Sequence, residues 1–455
     1  MSPSWLTVSV TILFAVTACA ARADDPFERV TISSSPNPVG SGARAAGMGN
    51  AFVAIADDAT AASWNPAGLV QLLRPEMSAV GLYSTHEEKR HSGAEPEFSG
   101  SDDWDGAELN FASVVLPFAA GERNIVFSIS RQQLFSFDRS MQFGLDKSQH
   151  SGLSGPIISQ SVTVSHEQDF EQEGSLSAVG FSGAMELTPR LALGFTINTW
   201  NDGIAGGNSW TKDESDTARA HIRTETISGV FERDILTRLD LHDERTLESG
   251  VNANMGLLWS VGERWTIGLS GKTPFTADIE RDSETASTDL STGIRTESAS
   301  HTGEEMDFPG SVALGAAFRQ SDFFSMSADV TRVEWGDFLL KNANGSVSPI
   351  TGQSAGESDV PPTYAVRVGA EWLKPVGRTI IPLRIGAFYD PEPLAGECRD
   401  AWGVGGGTGL LLGDRAAFDV SYTYRWAEDT PVDGVTDGSL SDDRHLVMFS
   451  TIFYF

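Results

Sequence analysis

Cysteine is almost missing from this chain: Cys19 and Cys398 are its only two in 455 residues. If an export signal removes Cys19, no intrachain disulfide can form, and a disulfide scaffold is excluded. Positive charge is scarce as well. Thirty-two Lys+Arg against 62 Asp+Glu leave a formal net charge of −30, which repels polyanions and argues against a nucleic-acid partner. Beyond residue 23 no continuous apolar run reaches about 18 residues, so that part has no transmembrane helix. What the chain does have is 46 glycines and a 40% share of hydrophobic residues. That is enough for two or three ordinary domains or one large sheet-built domain.

The N-terminus reads as an export signal, residues 1–23. Trp5 to Ala18 is apolar and uncharged, Ala21-Arg22-Ala23 is a signal-peptidase pattern, and Asp24-Asp25 follows. No Lys or Arg precedes the apolar run, which a mis-called start codon explains. Val16-Thr17-Ala18-Cys19 read as a lipobox, with Cys19 lipidated, stays open beside it. An exported chain without a helical span is either secreted and soluble or a barrel in an outer membrane.

Period-2 alternation decides for the barrel. Phe418, Val420, Tyr422, Tyr424 and Trp426 alternate with Asp419, Ser421, Thr423 and Arg425; similar patterns start at Leu191, Tyr364 and Ile381. Fourteen strands are expected, at 75–84, 104–118, 123–137, 173–188, 190–201, 245–262, 263–282, 302–320, 322–341, 361–374, 378–391, 401–413, 414–428 and 443–455. Short turns such as Thr188-Pro189-Arg190 alternate with long polar loops at 85–103, 138–172, 202–244, 283–301, 342–360, 392–400 and 429–442. Outer-membrane barrels have this asymmetry of short periplasmic turns and long external loops. Tyr424, Trp426, Trp372 and Tyr389 fall on the apolar face near strand ends, where an aromatic girdle belongs. The chain ends on Phe455, with Phe453 and Phe449 before it, as the last strand of such barrels does. The fold class is therefore all-β: a transmembrane antiparallel β-barrel of about 14 strands, residues 75–455.

Residues 24–74 do not alternate. They are rich in Gly and Ala, which suits a segment packed against other backbone, such as a plug inside the barrel. Ser41-Gly42-Ala43-Arg44-Ala45, Ala54-Ile55-Ala56-Asp57-Asp58-Ala59 and Trp64-Asn65-Pro66-Ala67-Gly68-Leu69 resemble the N-terminal hatch of the FadL/TodX family. Those proteins are outer-membrane transporters of long-chain fatty acids and aromatic hydrocarbons. Val333-Glu334-Trp335-Gly336-Asp337-Phe338, Tyr364 to Gly369, and Arg384-Ile385-Gly386-Ala387-Phe388-Tyr389-Asp390-Pro391-Glu392-Pro393 match in the same order; residues 85–310 do not. PorV-type barrels, which are structural or secretion-associated, share a similar opening.

The resemblance implies a 14-stranded barrel with a hatch in its lumen. It implies passive uptake of hydrophobic compounds, with a groove between long loops, an inner pocket, and release after the hatch rearranges. The implied partners are a hydrophobic small molecule, the lipopolysaccharide and phospholipid of the outer membrane, and the barrel-assembly machinery. In some members cargo leaves sideways at a kinked third strand; here Arg123 to Phe137 contains no Gly or Pro to kink it. The hatch motif comprises Gly42, Arg44, Asp57, Asp58, Asn65, Pro66 and Ala67. Asp57 and Asp58, costly if unpaired in a plug, are expected to pair with inward Arg367 and Arg384. With Asn65 they either latch the hatch or simply form a folding turn.

Ligand contacts are less marked. Thr217 to Leu239 reads as a helix with a ragged apolar face that includes Phe231 and Ile235: one wall of an outer groove, or a helix packed on the rim. Lys272, Arg367, Arg384 and Arg425 fall on inward faces and are candidates to hold a carboxylate. Their alternative role is pairing with inward acids such as Glu371 and Asp419. No catalytic or metal-binding set emerges. Gly271-Lys272-Thr273 lacks the first glycine of a P-loop, Thr266 standing in its place. The eight histidines show no metal-ligand spacing. No cofactor and no enzymatic activity are expected.

Overall fold

The computed structural model describes residues 40–455 except 122, 152–156, 206, 344, 378, 414 and 433–434. The expected signal segment and Cys19 lie outside the described residues. The wall is one antiparallel sheet closed on itself by fourteen strands, numbered here in chain order. They are β1 Glu76–His91, β2 Gly100–Ala120, β3 Arg123–Ser136, β4 Ile157–Thr188, β5 Leu191–Trp200, β6 Gly229–Val261 and β7 Trp265–Lys272. The second half is β8 Ser311–Ser321, β9 Phe324–Val333, β10 Thr363–Val376, β11 Thr379–Tyr389, β12 Ala401–Leu412, β13 Ala416–Pro431 and β14 Ser439–Tyr454. Each pairs with the next, and β14 closes onto β1 in an unbroken register from Glu76↔Tyr454 to His91↔Ser439. All fourteen expected strands are present.

Alternation sets the two faces. Phe127, Ile129, Phe181, Phe195, Met255, Leu314, Val368, Ile385 and Phe449 point outward and are exposed, while Ser128, Thr196, Ser270, Asp329 and Ser450 point inward and are buried. Two aromatic rings border this belt, with Phe118, Trp259, Trp265, Trp372 and Phe453 near the short turns and Tyr83, Tyr364, Tyr422 and Trp402 towards the other end. An apolar band between aromatic girdles is the surface of a lipid-embedded barrel. The short turns reverse tightly; Gly262 and Gly377 take φ of 83° and 64°, a region that side chains with a Cβ avoid.

The long connections differ from expectation. Most of 138–172, 202–244 and 283–301 is not loop but strand. Arg139–Ser151, the first half of β4, Ser209–Thr226, the first half of β6, Phe275–Asp289 and Ile294–Phe308 pair side by side into a sheet that continues above the wall. β6 alone has 33 residues, roughly 110 Å at 3.3 Å per residue, where about 9–11 residues cross a membrane.

The helix expected over Thr217–Leu239 is therefore a hairpin. Ser209–Thr226 pairs with β6 from Ser209↔Thr246 to Thr226↔Gly229. Ala220, Ile222 and Ile235 share one face with Val162 and Val164. The apolar residues of this stretch satisfy period 2 across two strands. Read as one element, with the turn at Ile227-Ser228 ignored, they imitate a helical stripe.

Candidate functional site

Residues 40–72 form three short turns: the helices Ala43–Gly47 and Ala61–Trp64, and a 3-10 turn Pro66–Gln71. Too short to stand alone, these turns are stabilised by packing against inward faces of the wall. Gly194, Gly256, Gly268, Gly369, Gly386 and Gly405 lie where a Cβ would run into the backbone or side chains of this segment. The Ala-rich hatch motif and the glycines inside the strands are two halves of one close approach.

Wall side chains satisfy the segment's backbone. Ser270 Oγ donates to Trp64 O (2.7 Å), Ser327 Oγ to Ala51 O (2.6 Å) and Asn124 Nδ2 to Val70 O (2.7 Å). Asp329 accepts from Val53 N (2.8 Å) and Ser450 Oγ from Ala43 N (2.8 Å). Asn65 is extended, as the following proline requires, and fully buried. Its amide donates to Val53 O (2.9 Å) and Leu257 O (3.1 Å), and its oxygen accepts from Ala67 N (3.2 Å).

Asp57 and Asp58 do not pair with Arg367 or Arg384. Arg44, thirteen positions away in the same segment, takes Asp57 directly, with Asp58 at 3.9 Å. Arg44 also binds Glu371 of β10 through two nitrogens at 2.9 Å. Glu371 accepts in turn from Arg384 (2.7 Å), which reaches Asp419 (2.5 Å). The segment is thus charge-linked to the wall, but through its own arginine.

A second network lies towards the external end. Arg425 binds Glu392 (2.5 Å) and Asp442 (3.2 Å), Arg444 binds Asp442 (2.6 Å), and Arg399 binds Glu392 (3.1 Å). Arg367 pairs with Asp390 (3.2 Å) and Thr331 (2.9 Å). So three of the four basic candidates, Arg367, Arg384 and Arg425, are held by wall or loop acids. Lys272 lies on the inward side of β7, and none of the four lines the cavity described next. Ile235 and Phe231 sit in the external hairpin, Ile235 buried under its neighbours and Phe231 exposed, both away from that cavity.

That cavity, about 80 Å³, is lined by β1, β2, β3 and β14 and by the turn that carries Glu392 and Arg399. Leu82, Leu134, Phe135, Phe137 and Leu440 give it apolar surface, and the rings of His86 and Trp104 stack at 5.1 Å on its wall. Phe135 and Phe137 continue into an aromatic cluster. Phe135 meets Phe308 (5.3 Å), Phe308 stacks on Phe275 (4.8 Å), and Phe275 stacks on Trp200 (5.1 Å).

Beside this cavity the wall is incomplete. The β2–β3 ladder runs from Ala120↔Arg123 only to Phe111↔Gln132, although both strands continue. β3 is irregular between Gln133 and Phe135 where it pairs with β4. The third strand stays continuous but carries a bulge at Leu134, which needs neither Gly nor Pro. Side chains bridge the gap: Gln133 Nε2 and Ser136 Oγ (3.0 Å) donate to the Glu108 carboxylate, and Arg131 Nη1 donates to Leu109 O (2.6 Å).

Solved structures with this architecture exist. A Pseudomonas aeruginosa FadL homologue aligns over 91% of this chain and 98% of its own, with TM-score 0.57 and 13% identity. The fold is that of the FadL/TodX barrels. The Pseudomonas putida toluene transporter TodX aligns over 91% and 98% (TM-score 0.55, 12% identity), and the monoaromatic hydrocarbon channel CymD over 92% and 98% (TM-score 0.54, 14% identity). No family profile and no curated protein sequence matches the chain. A closed antiparallel barrel with an even strand number, short turns on one side and a girdled apolar band is of the outer-membrane type. Within the FadL/TodX fold, the quoted motif Arg384–Pro393 gains roles. Gly386 lets the N-terminal segment approach, Asp390 holds Arg367, and Glu392 gathers three arginines.

The cavity residues His86, Trp104, Glu108, Gln133 and Phe135 escape the sequence reading. One signal for the aromatic cluster was available. Trp200 falls out of phase with the outward set Leu191, Leu193, Phe195 and Ile197, so it is an inward aromatic above the belt.

Proposed function

We propose that this protein is an outer-membrane channel of the FadL/TodX kind, which takes up hydrophobic compounds by passive diffusion. The observation that carries the reading is the conjunction of an obstructed lumen with an aromatic-lined cavity at a break in the wall. An open pore would favour polar solutes. Here cargo passes from the external aromatic cluster to the cavity, and the N-terminal segment acts as the hatch. The relatives named as toluene and monoaromatic hydrocarbon channels support a hydrophobic cargo. At about 80 Å³ the cavity is well below the roughly 300 Å³ of sites that enclose drug-sized ligands, so the wall or hatch moves to admit one.

The gap between β2 and β3 supplies the exit. Opening it breaks the side-chain contacts of Glu108 and of Arg131 but no ladder hydrogen bonds. The test is a reversible staple. In a Cys398→Ser background, the pair Glu108→Cys and Gln133→Cys is oxidised, and uptake of radiolabelled toluene or oleate into cells is followed. Uptake should fall at least about tenfold and return on reduction. Unchanged uptake with the disulfide formed ends the lateral route. No uptake above that of a barrel-null strain, together with co-purification of secreted proteins, ends the transport reading in favour of a PorV-like role.

A further inference from the structure

The cavity's lining carries more chemistry than a hydrocarbon needs. Its three arginines are all committed to carboxylates. Arg139 binds Glu88 (2.9 Å), Arg399 binds Glu392 (3.1 Å) and Arg444 binds Asp442 (2.6 Å). The lining also holds five carboxylates, Glu88, Glu108, Asp138, Glu392 and Asp442, and from just outside it Arg425 binds Glu392 and Asp442 while Arg131 stands beside Glu108. Glu108 accepts from neutral Gln133 and Ser136, and Asp138 from Ser136 Oγ (3.2 Å) and Gly174 N (3.1 Å). An anion entering here meets the carboxylates of Glu108 and Asp138 and no lining arginine without a carboxylate partner. Like charge at close quarters costs several kcal/mol.

The stacked pair adds a second observation. Trp104 Nε1 and His86 Nδ1 are both buried with no hydrogen-bond partner among the described residues. A buried polar group left unsatisfied is costly, and a ligand atom that completes it recovers that cost. The indole nitrogen can only donate. It therefore asks for an acceptor, and the flat His86–Trp104 stack asks for a ring.

Building on the uptake reading above, we propose that this cavity selects uncharged aromatic compounds bearing one hydrogen-bond acceptor, such as aryl ketones, esters and phenolic ethers, and rejects carboxylates. Trp104 determines the acceptor preference, and Glu108 with Asp138 determines the charge preference. The carboxylate of a fatty acid finds no seat at this wall.

The test uses the full chain in detergent and three ring compounds of one shape: acetophenone, α-methylstyrene, in which a methylene replaces the oxygen, and benzoate. Binding is measured by saturation-transfer NMR against protein-free micelles, with heat-modifiable gel mobility as the check that each variant is folded. Acetophenone should bind about three- to tenfold tighter than α-methylstyrene, the range of one net hydrogen bond, and at least about tenfold tighter than benzoate. Trp104→Phe keeps a ring for the stack and should bring the acetophenone to α-methylstyrene ratio to about one. Glu108→Gln should raise benzoate binding several-fold. Benzoate binding as tightly as acetophenone, or a ratio unmoved in Trp104→Phe, overturns the selectivity while leaving uptake of hydrophobic compounds standing. Failure of all three compounds to bind the folded barrel overturns both.

Discussion

β4 runs through two environments, and its outward face reverses polarity between them. In the wall that face carries Val179, Phe181 and Met185; above Gly174 the same odd-numbered positions are Glu167, Asp169, Glu171 and Glu173. β6 does likewise, with Val251, Met255 and Trp259 below and Asp240, His242 and Glu244 above, the phase adjusted by the irregularity near Glu248. Backbone pairing continues through both regions. Only the solvent differs, lipid below and water above, so the strand is set by alternation and the membrane boundary by which polarity faces out.

The two regions should respond very differently to substitution. The largest effect is expected on the inward side of the wall. Arg384→Ala leaves Glu371 and Asp419 with a partner removed, and breaking a buried pair costs about 3–5 kcal/mol. Urea unfolding in detergent should show it, and Arg384→Lys should recover part of the loss. Next comes the outward side. Phe181→Arg should cost about 2–4 kcal/mol in lipid vesicles, while Asp169→Arg, on the same strand face above the membrane, should stay within about 0.5 kcal/mol. Equal costs at the two positions would place the boundary elsewhere.

A smaller effect is expected in the N-terminal segment. Asn65→Ala loses three hydrogen bonds at a buried turn and should cost about 1–3 kcal/mol, read as a lower midpoint of heat-modifiable mobility. Removal of residues 24–70 should leave a foldable barrel that conducts small ions in planar bilayers and no longer discriminates cargo; a barrel that stays closed to ions contradicts the hatch role.

The smallest effect is in the external sheet. His242 and His301 sit opposite strand neighbours, their Nδ1 atoms 2.6 Å from Asp213 and 2.8 Å from Asp282. These hydrogen bonds to aspartate hold both histidines above the ordinary value. The contribution of each pair is complete below the ordinary histidine pKa and is lost as pH rises through the raised one. Histidine proton shifts should titrate late in the intact protein and earlier for His301 in Asp282→Asn.

Much of this was legible beforehand. Every wall strand announced itself by alternation, and the Ala-Gly segment announced close packing, because both depend on local composition. The acids Glu371 and Asp419 that hold Arg384 were within reach of the alternation, but the partners of Arg44 and Arg367 were not, since inward side chains choose among acids far apart in sequence. The external sheet was hidden for another reason. Its strands are polar on most positions, so stretches such as 283–301 resemble loops until cross-strand register is known. The bulge at Leu134 left no mark because any residue can occupy it.

Closure of the ring by β1 and β14 has a consequence for assembly. These strands are almost the whole chain apart, so the pairing that completes the cylinder has the highest loop-closure entropy of any strand pairing in the wall. The segment 40–72 immediately precedes β1, and its anchors are spread over β2, β3, β5, β6, β7, β9, β10 and β14. A half-built cylinder offers only part of that seat. The segment can therefore complete its contacts only when the cylinder around it is complete.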